Sequence, residues 1–409
     1  MGNRSDHSVQ RRLRTRRARR LLAARDSRFG ERTDFLLEWR SAARRDRGSL
    51  CIRVCRGGAL DGGHVAERRN EGDLMLTEAI TDRLVGRNRS TVVTSAEGLV
   101  FRKVFSGERA DADRRFRNTL HWEEVRRARE LTFSPAMLSS DAEARTVVFP
   151  YLLEARSLQQ VLDSAQDTDE AERLFGRAGA ILGELHSITG LHPSLDTDGS
   201  EDEPLHGFDW LSPDAYARAS GGELECWRLF QHDAELVEAV RTWTTGQRRF
   251  EVVPSHGDLR PDQFLVGADD EPVLIDWEEF TVAPAHRDVA GLLGAVLFDA
   301  IARAFTGVDS PESSPLDFHN LLLERGETML DRARPVAAAI LAGYRSRSDQ
   351  DLDRDEIARG VGWYVIERVI ARSMLSYAMS ASDRALAGIG RQAMLEPGSA
   401  ALLLGEVSA

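Results

Sequence analysis

The sequence predicts an α+β fold of two lobes, a small strand-rich lobe at 75–153 and a larger, mainly helical lobe at 154–396. Three observations carry this. Most short β-branched and alternating runs fall before residue 153, the exception being a strand, turn and strand over 263–276. Apolar residues at helical spacing dominate from 171 to 379. The chain has 409 residues, 42% hydrophobic and 29% charged, which suits globular lobes that each bury a core.

Residues Thr77–Leu84 read as a short helix leading into a strand. Ser90–Thr94 is β-branched and reads as a strand, and Glu97-Gly98 as a turn. Leu99–Phe105 alternates, with Leu99, Phe101, Lys103 and Phe105 on one face. A helix is expected over 113–132, with Phe116, Leu120, Val125 and Ala128 apolar, and another strand over 145–153, broken at Pro150. Helices follow at 171–189, 289–305, 317–341 and 355–379. Between them, residues 194–240 hold 12 acidic and two basic side chains and read as a solvated acidic insertion, or as a surface that attracts cations. Residues 397–409 read as a mobile end.

Charge is divided sharply. Residues 1–70 carry 19 Arg and 8 acidic residues, net +11, against a net −12 for the whole chain. Residues 1–74 are expected to form a disordered basic extension rather than a nucleic-acid or membrane-binding arm. The charge reversal beside Asn70–Met75, with Glu-Gly just ahead of Met75, also marks Met75 as a candidate translation start. Cys51, Cys55 and Cys226 are too few for a disulfide framework, so a reducing, cytoplasmic setting is expected. No apolar run nears the roughly 20 residues that span a bilayer. Cys51, Cys55 and His64 lack a fourth zinc ligand, and neither a nucleophile elbow nor a phosphate-binding G-x-x-x-x-G-K-[ST] loop occurs.

Lys103 is the only lysine among 54 basic residues. A compact ammonium kept where every other basic position is Arg suggests chemistry that a planar guanidinium does not fit. The second signal is Ser255-His256-Gly257-Asp258-Leu259-Arg260-Pro261-Asp262-Gln263, a turn at 267–272, and then Ile275-Asp276-Trp277-Glu278. Phosphoryl transfer from ATP needs Mg²⁺ on oxygen ligands, a cation on the phosphates and a carboxylate beside the attacking hydroxyl. Asp258 can be that carboxylate, Gln263 and Asp276 can hold metal, and Lys103 can meet the phosphates.

This pattern, His-x-Asp-x-x-x-x-Gln followed by Ile-Asp-Trp, resembles the aminoglycoside phosphotransferase family of the protein-kinase-like superfamily, over about residues 77–390. The resemblance implies a bilobal kinase-like fold using ATP, with GTP left open, and Mg²⁺. It makes Lys103 the strand lysine on the phosphates and pairs it with a helix Glu, Glu124 or its neighbour Glu123. It makes Gly86–Ser90 the phosphate-covering turn and Phe149–Leu153 the adenine hinge. It makes Asp258 the group that orients the acceptor hydroxyl, Arg260 a partner of the transferred phosphoryl group, and Asp276 and Gln263 the metal ligands. Gln263 stands where the family has Asn, so the second metal position is the one in question. His256, His186 and Asp288 match positions that brace the catalytic loop.

The function expected is phosphorylation of a hydroxyl on a small molecule, such as an aminoglycoside-like cationic natural product. A Ser/Thr kinase acting on a precursor peptide uses the same chemistry, and an inactive binding module is the third reading. The sequence names no oligomeric state.

Overall fold

The computed structural model describes residues 77–84, 88–96, 98–164, 168–190, 203–306 and 315–398. The basic extension, Cys51, Cys55, His64, Met75, Gly86, residues 194–202 and the last 11 residues lie outside them.

The first lobe is one antiparallel sheet, ordered β1-β2-β3-β5-β4, with a single helix. Its strands are β1 (Thr77–Leu84), β2 (Arg89–Ser95), β3 (Gly98–Val104), β4 (Ser139–Asp141) and β5 (Thr146–Pro150). Residues 77–84 are strand throughout, not helix, because their backbone pairs with β2 across a bulge between Thr77 and Asp82. Eight residues could not hold a helix without tertiary support, whereas a neighbouring strand satisfies them at once. Lys103 of β3 faces Ser90 of β2 and Val147 of β5. Helix α1 (Arg109–Ala128) covers the sheet through Phe116 and Ala112, packed on Phe105 and Val147. It ends four residues before the expected 132, because Glu130 adopts φ 53°. A left-handed residue stops a helix even without glycine.

The second lobe starts with β6 (Arg156–Ser157), α2 (Leu158–Ser164) and α3 (Thr168–His186). Four helices follow, α4 (Glu203–Asp209), α5 (Pro213–Arg218), α6 (Gly221–Gln231) and α7 (Ala234–Gly246). Strands β7 (Val252–Ser255), β8 (Phe264–Val266), β9 (Pro272–Leu274) and β10 (Thr281–Pro284) carry the site. Helices α8 (Ala285–Phe305), α9 (Pro315–Arg345), α10 (Arg354–Ser373) and α11 (Ala381–Leu395) complete the lobe. Sequence reading missed α11, although Ser380 and Asp383 form a capping box at its start.

One apolar core joins these helices, centred on Val289, Leu292, Leu293 and Val296 of α8. Residues 203–240, read above as a solvated acidic stretch, are part of it: Cys226, Trp227, Phe230, Leu236 and Val240 are buried. Their acids turn outward, and several pair with distant arginines: Asp209 with Arg241, Glu225 with Arg384, and Asp233 and Glu235 with Arg391. These pairs neutralise part of the charge behind the expected cation-attracting surface. Helices α3 and α9 meet closely, since a Cβ at Gly179 would lie 2.1 Å from the Ile340 carbonyl oxygen. That contact sets Tyr344 beside His186. No helix among the described residues is long and apolar enough to cross a membrane.

Candidate active site

The loop that carries Asp258 leaves β7, which pairs antiparallel with β10. Gly257 has φ +83°, and a Cβ there would sit 2.3 Å from the Glu279 carbonyl oxygen, so only glycine fits. Asp288, buried in the first turn of α8, holds the loop by its backbone. Its Oδ2 accepts from the His256 amide at 2.6 Å and its Oδ1 from the Gly257 amide at 3.1 Å. His186 Nε2 donates to Asp288 Oδ2 at 3.4 Å, and His186 Nδ1 accepts from the Tyr344 hydroxyl at 3.0 Å. Burial pushes the Asp288 pKa up, but these donors and the histidine rings outweigh it and hold it at about 2. His256 is itself buried, and its Nε2 donates to the Ile275 carbonyl at 2.9 Å. One imidazole thus ties the loop of Asp258 to the strand end of Asp276.

Asp258 lies partly buried beyond this brace. Arg260 Nη1 lies 3.2 Å from its Oδ2, while Arg260 Nε donates to Asp262 at 3.0 Å. Burial raises the Asp258 pKa, and the charges of Arg260, His256 and Arg368 offset this only in part. The carboxylate is therefore a better proton acceptor than a solvated one.

Lys103 supplies the other side. Its ammonium is bonded to Asp276 and lies 2.6 Å from Glu278 Oε2. Asp276 has φ 67° and ψ 57°, a conformation Asp tolerates better than most residues, and it starts the turn that brings Glu278 inward. Glu278 Oε2 also accepts from Asn88 Nδ2 at 2.6 Å and lies 3.6 Å from Arg115 Nη1. Arg115 is completely buried and donates to Asn88, Asp111 and the Ser106 carbonyl. Asn118 donates to the Glu278 carbonyl at 3.0 Å. Helix α1 therefore grips the turn that follows Asp276. A second grip is apolar: Trp122 and Trp277 stack with centroids 3.4 Å apart, and both indole N–H groups donate to Ser134 Oγ.

Of the residues singled out from sequence, Lys103 and Asp276 meet directly, and Asp258 lies within electrostatic reach of Asp276. Ser90 is opposite Lys103 in the ladder. Gln263 is buried, and its carbonyl accepts from the Ile275 amide at 2.9 Å. Glu124 does not meet Lys103; it is exposed on α1. Glu123 is buried but bonded to Arg126 and the Met137 amide, which secures the helix end. The α1 face turned toward the turn after β9 presents Arg115, Asn118 and Trp122 instead, and Lys103 takes its carboxylates from that turn. The sequence assigned no individual role to Glu278 or Arg115, and Asn88 only a place in the Gly86–Ser90 turn. For Glu278 the signal was present, two residues after Asp276.

The donor set suits a hard divalent cation. Asp276 and Glu278 offer two carboxylates, with the Gln263 amide in the same loop system. No group of three or more His, Cys, Asp or Glu side chains among the described residues forms a closed metal site. Two carboxylates with positions left for phosphate oxygens and water is how Mg²⁺ usually binds.

The family model of the phosphotransferase enzyme family matches residues 86–311, more than half of the chain. No curated protein matches. Among solved structures, the chain is similar to choline kinase LicA from Streptococcus pneumoniae, at 16% identity over 72% of this chain and 93% of that one, with a TM-score of 0.38. It is similar to spectinomycin phosphotransferase APH(9)-Ia in complex with ADP and spectinomycin, at 14% identity over 82% and 89%, TM-score 0.40. It is also similar to a microcompartment-associated aminopropanol kinase, at 13% identity over 80% and 94%, TM-score 0.46. At this distance the likenesses assign no substrate. The match over 86–311 contains the His256–Gln263 and Ile275–Glu278 segments, and the chain belongs to the phosphotransferase enzyme family.

Proposed function

We propose that this phosphotransferase transfers the γ-phosphoryl group of ATP, with Mg²⁺, to a hydroxyl group of a small molecule. The observation that carries the reading is the meeting of the single lysine with Asp276 and Glu278, beside a braced loop that presents Asp258 and Arg260.

Lys103 would bind phosphate oxygens as a point charge, and must exchange its carboxylate contacts for them when nucleotide enters. Asp276 and Glu278, with Gln263, would hold Mg²⁺, which when bound neutralises and aligns the phosphates. Asp258 orients the acceptor hydroxyl and takes its proton as the oxygen–phosphorus bond forms and the bond to ADP breaks. Its raised pKa helps that transfer, and the Asp288 brace fixes its position. Arg260 offsets the charge gathered on the transferred group. Ser90 and Gly86 would shape the backbone over the phosphates.

An aminoglycoside-like acceptor is supported mainly by the family resemblance, since four acids of the acidic helices are taken up in ion pairs. A Ser/Thr peptide offers the same hydroxyl and belongs in the same test. Purified protein, labelled ATP and Mg²⁺ are incubated with aminoglycosides, small hydroxy compounds and Ser/Thr peptides. Transfer to a small molecule, lost in Asp258→Asn, is the expected result. Transfer to peptide alone overturns the acceptor class. Mg-dependent ATP binding without transfer to any acceptor would make the chain a binding module.

A further inference from the structure

Helix α10 lies beside Asp258, and its packing on α8 is close. A Cβ at Gly360 of α10 would lie 2.6 Å from the Ala290 Cβ of α8, and a Cβ at Gly294 of α8 would lie 2.9 Å from the Tyr364 ring. On the same side of α8, a Cβ at Gly291 would lie 3.3 Å from the Leu259 carbonyl oxygen. Tyr364 and the residue after Asp258 thus rest on one helix, three residues apart. This sets the turn from Tyr364 to Arg368 beside the catalytic carboxylate. The charges agree: Arg368 stabilises ionised Asp258, and the Tyr364 hydroxyl senses Arg260, Asp258 and Asp262.

Arg368 is the anomaly in this wall. Its guanidinium lies over the Tyr364 ring, 5.5 Å from the centroid. Its Nε is buried with no hydrogen-bond partner. No ion pair to Arg368 is found among the described residues, although Asp258 and Glu367 are near. Asp258 is engaged by Arg260, and Glu367 accepts from Trp363. A native structure seldom leaves a buried guanidinium N–H unsatisfied, and one beside Asp258 points to a partner that arrives with the substrate. A flat guanidinium fixed on an aromatic face is pre-organised for a planar or tetrahedral oxyanion.

We propose that Arg368 recognises the acceptor, binding an anionic group, carboxylate or phosphate, carried close to the hydroxyl that Asp258 orients. The proposal rests on the phosphotransferase reading and narrows its acceptor class. A simple polyamine would set an ammonium against Arg368 and be disfavoured by like charge. The acceptor is an anionic or zwitterionic hydroxy compound. Arg260 remains with the phosphoryl group, and Arg368 reads the molecule that receives it.

The test uses three matched probes, glycerol, D-glycerate and glycerol 3-phosphate, which share hydroxyls and differ in the anion. Binding to the full chain is measured by calorimetry and tryptophan fluorescence, with a non-hydrolysable ATP analogue and Mg²⁺ saturating the nucleotide site. At least one anionic probe should bind about tenfold or more tightly than glycerol, and which one distinguishes carboxylate from phosphate. Arg368→Gln should abolish that preference, and Arg368→Lys should keep part of it. Because Arg368 makes no hydrogen bond among the described residues, both variants should keep the wild-type circular dichroism; if one unfolds, the other decides. No preference over glycerol in the wild type, or a preference that survives Arg368→Gln, overturns the proposal. Failure to bind the ATP analogue would sink the phosphotransferase reading and this one together. Analogue binding with no effect of Arg368→Gln sinks this one alone.

Discussion

Replacing Lys103 by Arg keeps the charge and changes only its shape, which makes it the sharpest test of the site. The ammonium is bonded to Asp276, lies 2.6 Å from Glu278 Oε2 and sits 5.2 Å from the Phe105 centroid; the side chain is 9% exposed. Asn88 occupies the same Glu278 oxygen at 2.6 Å, and Arg115 approaches it at 3.6 Å. A longer, planar fork has no room there without displacing one of them, and it would face a second guanidinium. The carboxylates stay neutralised, so the fold should hold. On the proposed role the loss falls on the phosphate contact. A hydrogen bond to a charged group contributes about 1.5–3 kcal/mol, and about 1.4 kcal/mol is tenfold in rate. Lys103→Arg should therefore lower kcat by about ten- to a hundredfold, with nucleotide affinity reduced less. Single-turnover transfer from labelled ATP, to the acceptor found in the panel, separates the two. Activity within twofold of wild type would show that the site does not need a point charge, and the solitary lysine would carry no meaning.

Three further results follow from the same geometry. Asp258→Asn should abolish transfer, keep nucleotide binding and raise the thermal midpoint at pH 7. Burial lifts the folded pKa of Asp258 above its ordinary 3.8, so this group's contribution to stability is full below that value and is lost as pH rises through the folded one. Calorimetric melts of the two proteins check the sign. Arg260→Gln removes a cation that favours the Asp258 carboxylate, so the acid limb of the kcat profile should move to higher pH; no movement would separate Arg260 from Asp258. Gln263→Asn should preserve or raise Mg-dependent transfer if the Gln263 amide holds metal, and a clear loss, measured as the Mg²⁺ concentration for half-maximal rate, would remove that role.

The residues legible in the sequence were those whose type and spacing are rare. A single Lys on an alternating strand, and an Asp in each of two short segments flanking a turn, could be read without coordinates. Glu278 stood in the same motif, but an acid just past a strand reads as solvated until its partners are seen. Arg115 and Arg368 were hidden by composition, since each is one of 53 arginines and nothing local marks a buried one. The acidic stretch misled because its neutralising arginines lie up to 159 residues away. Residues 77–84 misled because strand pairing with β2 outweighed local propensity. Glu130 ended a helix by adopting a conformation usually left to glycine.

What the sequence hid is largely what joins the two lobes. Lys103 and Asp276 are 173 positions apart, Asn88 and Glu278 190, and Asn118 and Glu278 160. Each of these bonds draws on the one short turn after β9, which is also stacked through Trp277 on Trp122 of α1. The first lobe is therefore fastened at the place where the proposed phosphate cation and the metal-ligand candidates would have to register with each other. Asp258 is held separately, by Asp288 and His186 in the second lobe, with the His256–Ile275 bond as the link between the two assemblies. Uniform Arg usage sharpens the division. Arg115, rigid and many-pronged, does the fastening, while the position proposed to release its carboxylates to a nucleotide keeps the flexible ammonium that can let go of them.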